Sequence, residues 1–300
     1  MKRFLTLALG LGLVFGVAAT SDALTPADFP ADAAAGGIGA SRHNLGAYGV
    51  HFRADNFDNN GGTTEICVFC HTPHHGSTNA PLWNKGAQST TYTAYGTTVA
   101  GSNVADADIG AATLACLSCH DGVNTIDTLV NAPGKGNDGS NNTLASNFNW
   151  TFTEDGNTVS DIIGSTRLTI GTDLTNDHPV SITYEVNKAS LRATSTTIND
   201  LVMTTSVFSA ADNDESDSAT TTANRWAVSG YINTSATIGD LLRGTANRVE
   251  CSSCHDPHFS NPTWDETEST WGGETDGDGA FLRRVGGNSI SGVCRTCHDK

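Results

Sequence analysis

Four copies of the pattern Cys-x-x-Cys-His account for every cysteine in this chain of 300 residues. They read CVFCH, CLSCH, CSSCH and CRTCH, and their cysteines are Cys67, Cys70, Cys116, Cys119, Cys251, Cys254, Cys294 and Cys297. The pattern is typical of c-type haem attachment, in which two thiols bind the porphyrin and the next imidazole binds the iron. We therefore expect four covalent haem c groups, with proximal iron ligands His71, His120, His255 and His298.

Paired cysteines have three other common uses. Structural disulfides usually close loops much longer than two residues, although exported proteins often contain them. Two zinc sites of four cysteines each would not require a histidine after every pair. A thioredoxin-like redox motif is expected once per domain on a helix after a strand. Haem attachment is the interpretation that uses the histidines as well as the thiols.

Six further histidines can supply the second axial ligands: His43, His51, His74, His75, His178 and His258. Met203 is the only thioether donor expected in the mature chain, so at most one haem could have His/Met ligation. Because these histidines outnumber the irons, we expect bis-histidine ligation and coordinatively saturated, low-spin irons that pass electrons. His51 and His75 are the weaker candidates.

Two motifs continue in the same way, as CHTPH at 70–74 and CHDPH at 254–258. The second histidine cannot serve its own haem, because the sixth coordination position lies on the far side of the porphyrin plane. Pro73 and Pro257 prevent a continuing helix and favour extended backbone before them. We expect His74 and His258 to reach neighbouring irons, so that each segment holds two haems close together.

The four motifs fall into two pairs separated by a long segment. A tryptophan follows a proline after the first motif of each pair, in APLW at 80–83 and NPTW at 261–264. This predicts a duplicated two-haem unit. The expected divisions are a signal peptide at 1–23, an N-terminal two-haem unit at 24–130, a Thr/Ser/Asn-rich insert at 131–245 that carries His178, and a C-terminal two-haem unit at 246–300.

The fold expected around these motifs is mostly irregular coil, with short α-helices at the CxxCH motifs and a few short β-strands. Hydrophobic residues make up 37% of the chain, which is lean for a conventional core, so stacked haems are expected to complete it. Alternating β-branched residues predict short strands within 159–171 and 178–186. The acidic runs at 212–217 and 274–279 do not match the EF-hand pattern and are expected to be solvated loops.

The N-terminus predicts export. Lys2 and Arg3 precede an apolar run at 4–19, and small residues at Ser21 and Ala23 form a cleavage site typical of a signal peptide. A membrane anchor is the alternative, but the run is short and has no stop-transfer flank. The formal net charge of −16 argues against nucleic acid and anionic membrane surfaces as partners.

Together, the segments RHNL, CVFCHTPH, APLWN, CLSCHDG, NDHPV, CSSCHDPH and CRTCHDK, with the Leu282-Arg283 pair, resemble multihaem cytochromes c with paired CxxCH motifs. These include the filament-forming extracellular cytochromes of metal-reducing bacteria, of the outer-membrane cytochrome E type. The resemblance implies distal ligands at His43, His74, His178 and His258. In filament-forming members a distal histidine near the N-terminus binds a haem of the neighbouring subunit, which is the position of His43 here. The segment from about 190 to 240 has no counterpart in this pattern.

The leading hypothesis is an exported tetrahaem cytochrome, an electron carrier rather than an enzyme, that forms a head-to-tail homopolymer outside the cell and exchanges electrons with other redox proteins. One alternative is a soluble periplasmic or extracellular shuttle, in which His43 folds back onto its own chain. A multihaem reductase is the third hypothesis. It is disfavoured because such enzymes keep one iron open, whereas all four motifs here end in histidine and second ligands are plentiful.

Overall fold

The structure of the chain is a computed structural model. It describes residues 38, 41–46, 52–57, 65–77, 81–86, 90–95, 109–131, 150–154, 157–164, 168–185, 190–198, 226–228, 231–233, 236–258, 279–284, 288 and 291–299. The structure does not describe the expected signal peptide, His51, Met203, NPTW at 261–264, the acidic run at 212–217 or residues 274–278 of the second acidic run. No helix among the described residues is long and apolar enough to cross a membrane.

A helical turn stands at each CxxC pair. In the first pair, Cys67 lies in a 3-10 helix at Ile66–Phe69 and Cys70 caps its C-terminus, and the second pair lies in α1 (Ala111–His120). After the short α2 (Ile238–Leu241), the third pair forms α3 (Cys251–Cys254) and the fourth lies in α4 (Gly292–Cys297). Because residues three apart share one face of a helix, both thiols of a motif point to the same side.

Local sequence explains where these helices begin and end. Helix α1 ends just before Gly122, whose φ of +70° is the left-handed conformation that commonly terminates a helix. Helix α2 begins with a capping box in which Asp240 accepts hydrogen bonds from the Thr237 backbone and hydroxyl at 2.8 and 2.9 Å. Glu250 and Ser253 form the equivalent box at the start of α3. Short helices with defined ends fix the direction in which each motif presents its histidine.

The described strands are short and form three small antiparallel sheets. Strands β1 (Phe52–Phe57), β2 (Trp150–Glu154) and β3 (Asn157–Val159) make the largest, in that order, with a register shift between Ala54 and Asn56. Strand β4 (Ile182–Thr183) pairs with β7 (Arg248–Val249), and β5 (Trp226–Val228) pairs with β6 (Tyr231–Asn233). The β4–β7 pair brings the segment after His178 next to the start of the third motif.

Apolar side chains in the described residues form three separate clusters instead of one core. One contains Phe69, Ile126, Leu129 and Phe152, with Cys70 and Cys119 packed against it. A second surrounds Trp226 and Ile238 and contacts Cys297, and a third surrounds Tyr92 and Leu117. Two of the clusters thus contact motif cysteines directly, and Leu117 of the third lies within the second motif.

The strand expectations are met only in part. The stretch 178–186 contains β4, but among the described residues of 159–171 only Val159 belongs to a strand. Backbone groups in that stretch bond to the second motif instead: the Ile170 N–H donates to the His120 carbonyl at 2.7 Å. A chain committed to such contacts cannot also form a regular ladder.

Candidate functional site

Three motifs in the described residues hold their histidine with the same backbone pattern. In the first, the Thr72 N–H donates to the Leu82 carbonyl and the Asn84 N–H donates to the Cys70 carbonyl, both at 2.8 Å. In the third motif, the Asp256 N–H donates to the Phe281 carbonyl at 2.9 Å and the Arg283 N–H donates to the Cys254 carbonyl at 2.8 Å. In the fourth, the Asp299 N–H donates to the Ser190 carbonyl at 2.7 Å and the Arg192 N–H donates to the Cys297 carbonyl at 2.9 Å. A second chain segment therefore passes alongside each of these histidines.

The repeated pattern includes an unusual backbone conformation. Leu82, Phe281 and Ser190 occupy the same place in it, and their φ values are +55°, +56° and +58°. Non-glycine residues rarely adopt such values, so their recurrence at equivalent positions indicates a common constraint. In this backbone pattern the counterpart of Leu82-Trp83 is therefore Phe281-Leu282, whereas the NPTW segment lies outside the described residues.

Three proximal histidines have one ring nitrogen occupied by a backbone carbonyl. The Nδ1 atoms of His71, His120 and His255 lie 3.0, 2.8 and 2.7 Å from the carbonyl oxygens of Pro81, Leu168 and Ala280. An Nδ1–H that donates to a carbonyl fixes the tautomer and leaves Nε2 free to bind a metal. The CxxCH pattern does not identify these carbonyls, because they belong to residues outside the motifs.

His71 and His258 face each other across the two halves of the sequence. Their ring centres are 6.0 Å apart and their planes differ by 18°. An imidazole nitrogen binds a metal at about 2.0–2.1 Å and the ring centre lies roughly 1 Å beyond, so two rings on opposite sides of one ion have centres about 6 Å apart. The separation fits a shared iron. The sequence predicts that His258, which follows the third motif, reaches the iron of another motif. Its position opposite His71 is compatible with that prediction.

His43 lies at a similar distance from His120 but with a different ring orientation. Their ring centres are 6.1 Å apart, with the planes at 89°. Burial, with smaller contributions from the nearby His120, His258 and His255, lowers the pKa of His43 to about 3, although the Pro257 backbone opposes the shift. Its buried Nδ1 has no hydrogen-bond partner among the described residues. A buried, neutral imidazole with an unsatisfied nitrogen has the character of a metal ligand.

The other described candidates for a distal ligand are His178, His74 and His75. Desolvation by neighbouring groups lowers the pKa of His178, and the nearby His298 also lowers it, so these two histidines lie near each other. His74 and His75 are exposed, and His75 has a φ of +57°. No imidazole ring contact involves His255 or His74 within the described parts of the chain, although a duplicated arrangement would pair them as it pairs His71 with His258.

The cysteines of successive motifs lie near one another. Burial raises the pKa of Cys70 to about 12, and the neighbouring Cys119 contributes. Contact between the thiols of Cys116 and Cys251 raises the pKa of Cys116 and lowers that of Cys251. Burial also raises the pKa of Cys254 to about 12, with a contribution from Cys297. The first motif thus neighbours the second, the second the third, and the third the fourth.

Buried polar groups, which the sequence does not single out, connect these motifs. Glu250 is buried and accepts hydrogen bonds from the hydroxyls of Thr113 in α1 and Ser181 near β4, the latter at 2.8 Å. The Gly110 N–H, which precedes α1, donates to the Ser181 hydroxyl at 2.8 Å. This network fastens the second motif to the third and to the segment that carries His178.

A buried ion pair supports His258. Arg283 Nη1 lies 2.9 Å from Asp256 Oδ2, and Asp256 Oδ1 accepts from the backbone N–H and the Nδ1–H of His258, both at 3.0 Å. Burial alone would raise the pKa of Asp256, but the hydrogen bonds from His258 and the charge of Arg283 outweigh it and lower the pKa to about 2. Asp256 is therefore an anion with a fixed orientation at neutral pH.

Among the described residues, no three or more His, Cys, Asp or Glu side chains are grouped to hold a bare metal ion. All eight cysteines are free thiols. A haem iron needs only two protein ligands, because the porphyrin supplies the others, and the two facing histidine pairs fit that requirement. Comparison of the chain with models of known protein families gives no match, and comparison with curated proteins gives none either.

Proposed function

We propose that the chain is an exported tetrahaem c-type cytochrome that carries electrons. The observation that carries this proposal is the facing pair of His71 and His258, whose ring centres are 6.0 Å apart. Each member already has its Nδ1 hydrogen-bonded, His71 to the Pro81 carbonyl and His258 to Asp256. Such second partners are a regular feature of imidazoles that bind metals.

Each part of a CxxCH motif has a defined task in this function. The two thiols, on one face of a helical turn, form the thioether bonds that anchor the porphyrin, and the next histidine provides the proximal nitrogen. A bound haem c supplies an iron that gains or loses a single electron. His71 with His258 would hold one haem iron and His120 with His43 another, so neither iron would have a free position for a substrate. This favours a carrier over a reductase.

Contacts between successive motifs support a relay. Cys70 neighbours Cys119, Cys116 contacts Cys251, and Cys254 neighbours Cys297. Groups attached at these cysteines would lie side by side through the whole series. The buried network around Glu250 fixes the relation between the second and third motifs.

Haem content tests the proposal directly. The chain is produced with its own N-terminus in a host that has the cytochrome c maturation machinery, and covalent haem is counted from the pyridine haemochrome spectrum and the intact mass. We expect four haems per chain and a mature N-terminus near Leu24. The double variant Cys294→Ser/Cys297→Ser serves as a matched control and should carry three. A colourless protein that binds zinc would contradict the proposal.

A head-to-tail homopolymer is a second candidate, and one observation favours it. His43 lies beside His120 of its own chain, as in the shuttle hypothesis, and its link to a neighbouring subunit remains a prediction from the resemblance. Within the described residues, however, His255 has its carbonyl partner but no second imidazole, whereas His74 is exposed. The Asn131 amide and the Thr72 hydroxyl hold the His74 carbonyl at 2.8 and 3.0 Å, which fixes the backbone that presents this ring.

We therefore propose that His74 of one copy supplies the second ligand at His255 of the next. Donor and acceptor are then different surfaces of the molecule, and contacts of that kind propagate unless they close into a ring. The chain's acidic charge of −16 opposes close association without such a specific bond.

A further inference from the structure

The two proline-containing segments CHTPH and CHDPH differ at one informative position. Residue 72 is threonine and residue 256 is aspartate, and both donate the equivalent backbone hydrogen bond, to Leu82 and to Phe281. The Thr72 hydroxyl bonds to the His74 carbonyl and gives the His74 ring nothing. Asp256 bonds to the His258 ring itself. The duplicated segments are thus chemically unequal where they meet the second histidine.

Asp256 differs from the other partners of the described iron-ligand candidates in its charge. The Nδ1 partners of His71, His120 and His255 are neutral carbonyl oxygens, whereas that of His258 is a carboxylate. A carboxylate draws the Nδ1 proton more strongly, which makes the other ring nitrogen a better electron donor. A better donor stabilises the oxidised iron and lowers its reduction potential.

Arg283 sets how much of that charge acts on the site. Its guanidinium pairs with Asp256 at 2.9 Å and also donates to the carbonyls of Ser252 and Ala227 at 2.8 and 2.9 Å. Both members of the pair are buried, at 4% and 7% exposure, so solvent screens them little. The cation fixes the carboxylate in place and partly offsets its field.

We infer that Asp256 is a positioning residue that lowers the reduction potential of the haem held between His71 and His258, and that Arg283 limits the effect. This inference rests on the proposed haem attachment. The difference between Thr72 and Asp256 then makes the two otherwise similar segments unequal, so that this haem has a lower potential than it would have with a neutral partner at His258.

Two substitutions of opposite sign test the inference. Asp256→Asn keeps an acceptor for His258 but removes the negative charge, and it should raise the midpoint potential of one haem. Arg283→Gln removes the offsetting cation and should lower it. We expect each shift to change the oxidised-to-reduced ratio of that haem at fixed potential by at least tenfold, about 59 mV for a one-electron couple. Spectroelectrochemical titration measures this, with the electron paramagnetic resonance spectrum as a second readout of the axial ligands.

Asp173→Asn is the matched control, because it removes an exposed carboxylate that bonds only to Thr175 in the described residues. It should leave all four potentials nearly unchanged. Shifts of the same sign in Asp256→Asn and Arg283→Gln, or shifts no larger than the control, would overturn the inference. If one haem in Asp256→Asn loses an axial ligand and becomes high-spin, its potential no longer reports the effect of the charge. The direction of the potential shift in Arg283→Gln then decides alone. A wild-type protein without haem contradicts the proposed function, whereas four haems with unchanged potentials contradict only the role of Asp256.

Discussion

His71 and His258 lie 18° from parallel with their ring centres 6.0 Å apart, although one follows the first CxxCH motif and the other follows the third. The Nδ1 atom of each ring is hydrogen-bonded, that of His71 to the Pro81 carbonyl at 3.0 Å and that of His258 to the Asp256 carboxylate at 3.0 Å. This pair connects the first CxxCH motif with the segment after the third through a single candidate iron site. It also predicts which histidine belongs with which motif, and CxxCH spacing alone contains no such information.

Loss of His258 should expose one iron. In His258→Ala we expect one haem of four to change from low to high spin, because the small side chain leaves the position opposite His71 without a nitrogen ligand. His43→Ala should expose a different iron, the one on His120, and the double variant should expose two. The electron paramagnetic resonance spectrum of the oxidised protein counts high-spin haems directly.

His75→Ala is the control for these variants, since His75 is exposed and has no assigned ligand role. Its spectrum should match that of the wild type. If His258→Ala and His43→Ala affected the same haem, or if neither produced a high-spin signal, the pairing of these histidines would be wrong.

Self-association should leave a spectroscopic trace. If His74 of one copy binds the iron on His255 of another, dilution should convert one haem per chain to high spin as the mass measured by light scattering falls. His74→Ala should show that high-spin haem at every concentration and remain monomeric, whereas His43→Ala should keep the wild-type mass. A monomeric wild type with four low-spin haems at all concentrations would instead favour the soluble shuttle.

Gly110 and Glu250 should be energetically coupled. A methyl group at position 110 would overlap the Glu250 carboxylate, and that carboxylate accepts the hydroxyls of Thr113 and Ser181. Glu250→Ala should lower the free energy of unfolding by about 1–3 kcal/mol because buried donors lose their acceptor. Gly110→Ala should also destabilise the wild type, through the overlap.

The coupling appears when both changes are combined. Gly110 has φ −69° and ψ 150°, which alanine adopts without strain. In the Glu250→Ala background Gly110→Ala should therefore be neutral or slightly stabilising, because it restricts the unfolded chain. Denaturant unfolding of the wild type, the two single variants and the double variant, each loaded with haem, gives the coupling energy. Strictly additive effects would show that the carboxylate does not occupy this place.

Local pattern in the sequence predicts local features of this chain, and long-range contacts decide the rest. The CxxCH motifs predict the helical turns because these depend on residues within one turn, and the assignment of the proximal histidines remains a prediction from the same motifs. The partners of those histidines do not follow from spacing, because Pro81, Leu168 and Ala280 act through backbone carbonyls that any residue possesses. The alternation in 159–171 predicts a strand, but in the described part of that range only Val159 lies in one, and the carbonyl of Leu168 and the N–H of Ile170 bond to His120 instead.

Acid should weaken the fold through Asp256. Its pKa in the folded chain is about 2, below the ordinary 3.8, because bonds from His258 and the charge of Arg283 outweigh the effect of burial. A carboxyl group with a lowered folded-state pKa adds stability above its unfolded pKa and loses it as the pH falls towards the folded value. The contribution at neutral pH is about 2 kcal/mol, and it should disappear between pH values of about 4 and 2. Unfolding free energies of the haem-loaded protein across this range should fall more steeply in the wild type than in Asp256→Asn, and the two curves should converge near pH 2. Parallel curves would mean that the Asp256–Arg283 pair adds no stability linked to protonation.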